Sequence, residues 1–365
     1  MSQELTDEEI KEQSLFRFMD GVPEIDRWIN VGVVGATGIV GITLLRILHQ
    51  RKFPVGELHL YGTPKSEGRW INTPFGQRCV EVLNKRKPPY HDLVFMAAGT
   101  AVAREWGWRF AHRGAVVIDK SSYFRDKTYA SLAIPEVNPE TIESHRGIFA
   151  NPNCTTIPLV VALKPLHDKF GLAGFTAVSF QSVSGSGRNG MLALERELED
   201  SQAEATIYPH RIAHNVIPWI GSNQGGFSSE EIKMIAEPRK IMQLPRLPIR
   251  ITAVRVPIMI GHSLAVHATF RRSISVERAR EAFIKAPGIT LEDDPSADRY
   301  PMPYKAVGRD DVLVGRIRRD RGHHGLAFWI STDNLRKGAA TNAVQIAEIL
   351  LSNKALGNSD DNTIS

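Results

Sequence analysis

Cys154 stands in the run Asn151-Pro152-Asn153-Cys154-Thr155-Thr156, just ahead of the apolar stretch 157–163. Thr155 and Thr156 are of the type that caps helix starts, and Pro158 is tolerated in a first helical turn. The spacing predicts a helix whose N-terminus lies at the cysteine. There the helix dipole favours a thiolate, a nucleophile near neutral pH. Most free cysteines are buried and inert. Cys79, in the strand-like run RCVEV, fits that ordinary role; Cys154, among turn and cap residues, does not. A nucleophile acting on an acyl carbon needs a base and an oxyanion site. Gly261-His262-Ser263, after the strand-like run 252–260, supplies the best base candidate among 12 histidines. A lone histidine in such a region is more often structural. Arg255 lies seven residues earlier, and Gln181 opens the polar stretch 181–187, which also reads as a surface loop. His323-His324 reads as surface, because adjacent side chains point apart and no carboxylate partner is in view; no metal site is expected.

A second chemistry-bearing pattern is Gly35-Ala36-Thr37-Gly38-Ile39-Val40-Gly41, between a strand-like and a helix-like run. Glycines here allow a tight turn and let a pyrophosphate approach a helix N-terminus. The alternative is a strand–helix turn without a ligand, but its place at the first strand of a βαβ unit favours binding. Cofactor choice is read after the second strand, where NAD sites usually carry an acidic residue. This chain has Gly62-Thr63-Pro64-Lys65-Ser66 instead. Thr63, Lys65 and Ser66 suit a 2′-phosphate, as in NADP; the same segment reads equally well as a solvated loop.

These residues need elements to hold them. Strand-like runs at 28–34, 58–61, 93–97 and 115–118 alternate with helical patterns at 42–49 and 101–113, which predicts a doubly wound parallel sheet. The run at 93–97 ends in Ala98-Gly99-Thr100. Runs at 175–180, 249–256 and 262–270 alternate apolar and polar residues, as half-buried antiparallel strands do. Helical patterns at 191–204 and 228–241 separate them, and 334–351 reads as a strong amphipathic helix. The expected fold is therefore α/β plus α+β: a Rossmann-type sheet domain and a mixed-sheet catalytic and dimerisation domain. The first 27 residues could hold a helix over 6–18 or form an arm, and the chain ends in the polar tail GNSDDNTIS.

Length and charge bound the remaining possibilities. The chain has 365 residues, enough for two domains, and a net charge of +5. Basic residues are scattered and no basic run is flanked by aromatics, so nucleic acid is not an expected partner. Two cysteines cannot build a disulfide framework. No apolar signal segment and no apolar run of about 18 residues is present, so a cytoplasmic protein without a membrane span is expected.

Ordered motifs then converge on a family. GATGIVG at 35–41, IDKSSYFR at 118–125, IPEVN at 134–138, NPNCTTIPLVVALKPLH at 151–167, EEIKMIAEPRKIM at 230–242, RVPIMIGHS at 255–263 and STDNLRKGAATNAVQIAE at 331–348 occur in succession. With these the chain resembles bacterial aspartate-β-semialdehyde dehydrogenase over nearly its whole length. The resemblance implies that Cys154 is the nucleophile of a thioacyl intermediate and His262 the general acid–base. It makes Gln181 an orienting active-site glutamine. Arg125, Asn153 and Lys233 would hold the phosphate, and Glu230 with Arg255 the ammonium and carboxylate of the amino acid. Gly35, Thr37, Gly38, Ile39, Val40, Gly99 and Asn334 would contact NADP, with Thr63, Lys65 and Ser66 at its 2′-phosphate. The implied reaction reduces L-aspartyl 4-phosphate to L-aspartate 4-semialdehyde and inorganic phosphate, reversibly, in lysine, threonine and methionine biosynthesis.

Some positions depart from the family pattern. Lys120 replaces a usual asparagine, Tyr123 a small residue and Lys65 an arginine, and Gly185-Ser186-Gly187 replaces a G-A-G loop. The alternative readings are an N-acetyl-γ-glutamyl-phosphate reductase, against which Glu230, Lys233 and RVPIMIGHS speak, and a non-catalytic paralogue, against which Cys154 and His262 speak. The resemblance implies an extension over 1–27, an NADP-binding domain from 28–153 with 331–365, and a catalytic and dimerisation domain over 154–330. The expected assembly is a homodimer, with a tetramer as the alternative.

Overall fold

The computed structural model describes residues 27–84, 89–144, 147–320 and 322–356. The reading of a helix or arm in the first 27 residues falls almost wholly outside them, and the polar tail lies outside them entirely.

Eight strands form the first sheet: β1 (Ile29–Val34), β2 (Val55–Tyr61), β3 (Trp70–Thr73), β4 (Gly76–Glu81), β5 (Leu93–Met96), β6 (Val116–Asp119), β7 (Ser131–Leu132) and β8 (Ile148–Ala150). Their order is β3-β4-β2-β1-β5-β6-β8-β7. Every pair is parallel except the β3–β4 hairpin, which carries Cys79 opposite Trp70. Buried on both faces, β1, β5 and β6 read as nearly continuous apolar runs, broken only by Asn30 and the terminal Asp119. The chain leaves β1 for β2 on one side and β5 lies on the other, so the order reverses at the end of β1, where α/β sheets bind ligands. Helix α1 (Ile39–Gln50) starts there. A Cβ on Gly41 would meet the Gly35 carbonyl oxygen at 2.4 Å, so only glycine lets the helix seat this closely. Helix α2 (Thr100–Ala111) joins β5 to β6.

Helix α3 (Thr156–Phe170) then leads to a second sheet. Its strand β9 (Leu172–Gln181) is followed by α4 (Gly187–Glu199), the short hairpin β10 (Asn223–Gln224) and β11 (Phe227–Ser228), and α5 (Ser229–Ile241). The strands β12 (Ile249–Arg255), β13 (His262–Phe270), β14 (Ile289–Leu291), β15 (Val312–Arg319) and β16 (Gly325–Thr332) complete it, with α6 (Val276–Ile284) between β13 and β14. The order is β12-β9-β13-β16-β15-β14. The pair β9–β13 is antiparallel as the alternation predicts, and β13–β16 and β15–β16, which no pattern had marked, are antiparallel too, but β12 runs parallel to β9. Helices α4 and α5 lie between β9 and β12 in the chain and supply the long connection a parallel pair needs.

The C-terminal segment also departs from its pattern. Residues Arg336–Ala340 form a π-helical turn before α7 (Thr341–Ser352). Residues 341–347 are all buried, so the helix is enclosed rather than amphipathic at a surface. Val344, Ile346 and Leu350 join Leu44, Leu45 and Leu48 of α1 in one apolar core.

Candidate active site

The second sheet delivers four chemical groups at one edge. Strands β12 and β9 end there with Arg255 paired to Gln181, and the antiparallel β13 begins there with His262. His262 pairs with Thr332 of β16, which leads into Asp333 and Asn334. The alternating strand directions thus set Arg255, Gln181, His262 and the Asn334 turn side by side. All four are buried.

Against this edge comes the loop from β8 to α3. Cys154 Sγ lies 3.3 Å from His262 Nε2. The loop is held because the Asn151 amide donates to the Asp119 carbonyl at the end of β6. Asn153, not a threonine, caps α3: its Oδ1 accepts the Thr155 amide at 2.9 Å and the Thr155 hydroxyl at 2.5 Å. Thr155 makes no side-chain cap. Gly338, in the π-helical turn, presses on the cysteine from the other side, since a Cβ there would stand 3.2 Å from Cys154 Cβ.

Helix α5 completes the enclosure with Glu230, Lys233 and Glu237, spaced to share one helical face. Asn153 Nδ2 donates to Glu230 at 2.9 Å and the Asn153 amide to Glu237 at 2.7 Å. Lys233 pairs with Glu230 at 3.2 Å. Arg125 donates to Glu237 at 3.0 Å, to the Asn151 carbonyl and to the Lys120 carbonyl, which leaves it donors to spare. Burial disfavours the Glu230 carboxylate, but Lys233, the bond from Asn153 and the field of Arg125 outweigh it and hold its pKa below the usual range. Among the described residues Arg255 has no carboxylate partner. It donates to the Ser182 carbonyl, lies 5.7 Å from the Tyr208 ring centroid, and keeps a buried Nε without a partner. A buried, unpaired guanidinium is a ready seat for a carboxylate.

The helix dipole does not produce a low cysteine pKa. Burial, with Glu230 adding to it, pushes the Cys154 thiol up to about 11, and Lys120, Arg125 and Arg255 pull the other way. Burial, then Arg255, push the His262 imidazole down to about 3, opposed by Glu230 and the Gly261 carbonyl. The resting pair is a neutral thiol beside a neutral imidazole, and a thiolate forms only when something removes that proton.

The glycine-rich turn and Gly99 lie at the ends of β1 and β5, on the first sheet. A Cβ on Gly35 would meet the Ala97 carbonyl oxygen at 2.7 Å, so the two loops flank one crevice. Gly38, Gly99, Thr63 and Lys65 are exposed, and Thr37, Ile39 and Val40 partly so. Ser66 differs: it is buried, with its hydroxyl donating to the Thr63 carbonyl at 2.9 Å. Asn334 is likewise committed within the protein, to Ser182, Ser184 and the Gly261 amide.

Sequence reasoning missed Glu237 and Ser182. The seven-residue step from Glu230 to Glu237, two helical turns, was a usable signal for the first. Ser182 had none, because only the folding of β9 against β13 brings it to His262.

Known proteins share this design. The NAD-binding domain of the semialdehyde dehydrogenase family matches residues 30–145, and that family's dimerisation domain matches 163–337. The aspartate-semialdehyde dehydrogenase of Aquifex aeolicus is 43% identical over 332 residues, 88% of this chain and 98% of that protein. That of Legionella pneumophila is 42% identical over 337 residues, 89% of this chain and 96% of that protein. Aspartate semialdehyde dehydrogenase II of Vibrio cholerae, solved in complex with ASA, superposes with a TM-score of 0.85 at 38% identity, covering 90% of this chain and 99% of that one. The Candida albicans enzyme, solved with NADP, gives 0.71 at 25% identity, covering 90% and 100%. Likeness that runs through both halves of the chain, in sequence and in backbone path alike, makes this protein a member of the aspartate-semialdehyde dehydrogenase family.

Proposed function

We propose that this chain reduces L-aspartyl 4-phosphate to L-aspartate 4-semialdehyde with NADPH, reversibly, in the route to lysine, threonine and methionine. The observation that carries this reading is the Cys154–His262 contact of 3.3 Å, set among Arg125, Lys233 and Arg255. In the reductive direction Cys154 attacks the acyl carbon and phosphate leaves, so that the aspartyl group is held as a thioester. His262 takes the thiol proton first and returns a proton when the sulfur is released. Arg125, Asn153 and Lys233 hold the phosphate. Arg255 takes the α-carboxylate and Glu230 the α-ammonium, while Gln181 orients the acyl oxygen.

The crevice between the Gly35 turn and Gly99 fits a dinucleotide, because the α1 N-terminus faces it and glycine lets the backbone come close. Gly35, Thr37, Gly38, Ile39, Val40 and Gly99 would hold the cofactor, with Thr63 and Lys65 at the 2′-phosphate of NADP. Ser66 would brace that loop, and Asn334 would border the nicotinamide. Bound NADPH supplies the hydride.

Residues 28–153 with 331–365 serve as the cofactor domain and 154–330 as the catalytic and dimerisation domain. A homodimer in the cytoplasm is the working form. Exposed Leu192, Leu198, Ile207, Val216, Trp219 and Phe227, all within the family's dimerisation domain, support it. Among the described residues no helix is long and apolar enough to cross a membrane.

The deciding assay follows NADP⁺ reduction with aspartate semialdehyde, with and without phosphate, for wild type and Cys154→Ala. Phosphate-dependent NADPH formation in the wild type alone bears the reading out. No turnover in the wild type overturns it.

A further inference from the structure

His262 can take the Cys154 proton only if Nε2 has a free lone pair, which requires the neutral ring to carry its proton on Nδ1. What faces Nδ1 therefore decides whether His262 is a base. Among the hydrogen bonds of the described residues two atoms of Ser182 do, and the Gly261 carbonyl also acts on the ring, favouring its protonated form. The serine's backbone N–H lies 3.1 Å from Nδ1 and favours the wrong tautomer, with the proton on Nε2. Its hydroxyl oxygen also lies 3.1 Å from Nδ1 and can accept a proton from it. That hydroxyl's own proton has somewhere else to go: Asn334 Oδ1 at 3.2 Å or Ser184 Oγ at 3.0 Å. Asn334 is in turn fixed by the Gly261 amide at 2.8 Å and by its bond to Ser184 at 2.9 Å. Ser182 and His262 are both wholly buried.

We propose that Ser182 is the positioning residue that makes His262 a base, its hydroxyl accepting the Nδ1 proton while the Ser184–Asn334 pair takes the hydroxyl's own. Proton transfer then breaks the Cys154 S–H bond and leaves its electron pair on sulfur. It forms an Nε2–H bond, and Nδ1 keeps the proton that Ser182 accepts throughout. The charged and titratable groups facing His262 are Cys154, Arg255 from β12 and Glu230 from α5. None of the three supplies an acceptor to Nδ1 among the hydrogen bonds of the described residues. In serine-protease triads, holding the histidine in the wrong tautomer costs about 10⁴ in kcat.

This inference rests on the reading of Cys154 and His262 as nucleophile and base, and its test uses neither substrate nor cofactor. The full-length enzyme is alkylated with iodoacetamide from pH 6 to 10, and modification of Cys154 is followed by peptide mass spectrometry. Ser182→Ala removes the hydroxyl acceptor and keeps the backbone N–H at Nδ1. It is expected to react at least tenfold more slowly than wild type near pH 7, the deficit closing towards pH 10 as hydroxide replaces the base. Ser182→Thr, which keeps the hydroxyl, is expected to restore the wild-type profile. A wild-type rate in Ser182→Ala, or an equal slowing at every pH, overturns the proposal. Ser182→Gly gives the same reading if the alanine variant does not fold. If His262→Ala matches wild type across the range, the pairing of Cys154 with His262 itself fails. If His262→Ala is slow while Ser182→Ala is not, only the role of Ser182 fails.

Discussion

Cys154 Sγ lies 3.3 Å from Nε2 of His262, although 108 positions separate them in the chain. The contact exists because a loop leaving the parallel sheet meets the first residue of β13 in the mixed sheet. Cys154→Ala is expected to abolish turnover while leaving the NADP dissociation constant nearly unchanged. His262→Ala is expected to slow kcat by ~10²–10⁴, the share general acid–base catalysis supplies. Steady-state kinetics with fluorescence titration of NADPH checks both, and an unchanged kcat removes His262 from the mechanism.

Lys120 follows β6, and its ammonium makes no hydrogen bond among the described residues. Burial draws its pKa down, while the cysteine it faces draws it up. Its charge in turn pulls the Cys154 thiol towards ionisation. Lys120→Met is expected to lift that thiol further and to slow iodoacetamide alkylation of Cys154 at pH 8 by about tenfold, the equivalent of one pKa unit. Lys120→Arg is expected to keep most of the rate. Equal alkylation rates in Lys120→Met and wild type would show that the lysine exerts no useful field on the sulfur.

Lys337 is wholly buried in the π-helical turn and meets both oxygens of buried Glu136, at 2.8 and 2.7 Å. Asn342 and Gln345 share its third proton. Removing one member of a buried pair strands the other, at about 3–5 kcal/mol. Lys337→Met is expected to lose that much in urea unfolding and to lower kcat as well, because Gly338 of the same turn rests on Cys154. A stability within about 1 kcal/mol of wild type would show that Glu136 finds another partner or takes up a proton.

Acid is expected to destabilise the fold through its buried histidines. Burial, then His59, push His91 down to about 4, and His262 is pushed to about 3, both below the ordinary value of 6.5. Between those values and 6.5 the unfolded chain binds the protons that the folded chain refuses. Their stabilisation is thus complete above about pH 6.5 and lost as pH falls towards 4 and then 3. His91 sits between the Tyr61 hydroxyl and Asn30 Oδ1, each at 2.9 Å, an arrangement that suits the neutral ring. Melting temperatures at pH 7.5 and 5 should therefore differ less in His91→Gln than in wild type. An unchanged pH slope would assign the acid sensitivity to other groups.

Lys65 is exposed beside Thr63 in the loop after β2. Lys65→Ala is expected to weaken NADPH binding about tenfold and NADH binding hardly at all, since only the former carries a 2′-phosphate for the lysine to meet. Isothermal titration with both cofactors distinguishes this from a general disturbance of the loop, which would weaken the two equally.

Local chemistry was legible in the linear sequence. A glycine-rich turn between β1 and α1 follows from residue types alone, because few other side chains tolerate such backbone approach. The same holds for the helix that begins after Cys154, and for the alternating faces of β9 and β13. The ordered motifs carried the family, and with it the expectation for most of the proposed site residues. What the sequence could not contain is whatever depends on distance across the fold. The parallel pairing of β12 with β9 depends on how α4 and α5 carry the chain back. The enclosure of α7 depends on which surfaces cover it, and its amphipathic pattern does not record them. The capping of α3 by Asn153 rather than Thr155 is a matter of which oxygen reaches the free amide. The cysteine pKa shows the division most plainly: the helix terminus at Cys154 was readable, but the burial that pushes its thiol up is a property of the assembled site. Glu237 and Ser182 joined the active site for the same reason, since hydrogen bonds and fields act over a few ångströms of space regardless of separation along the chain.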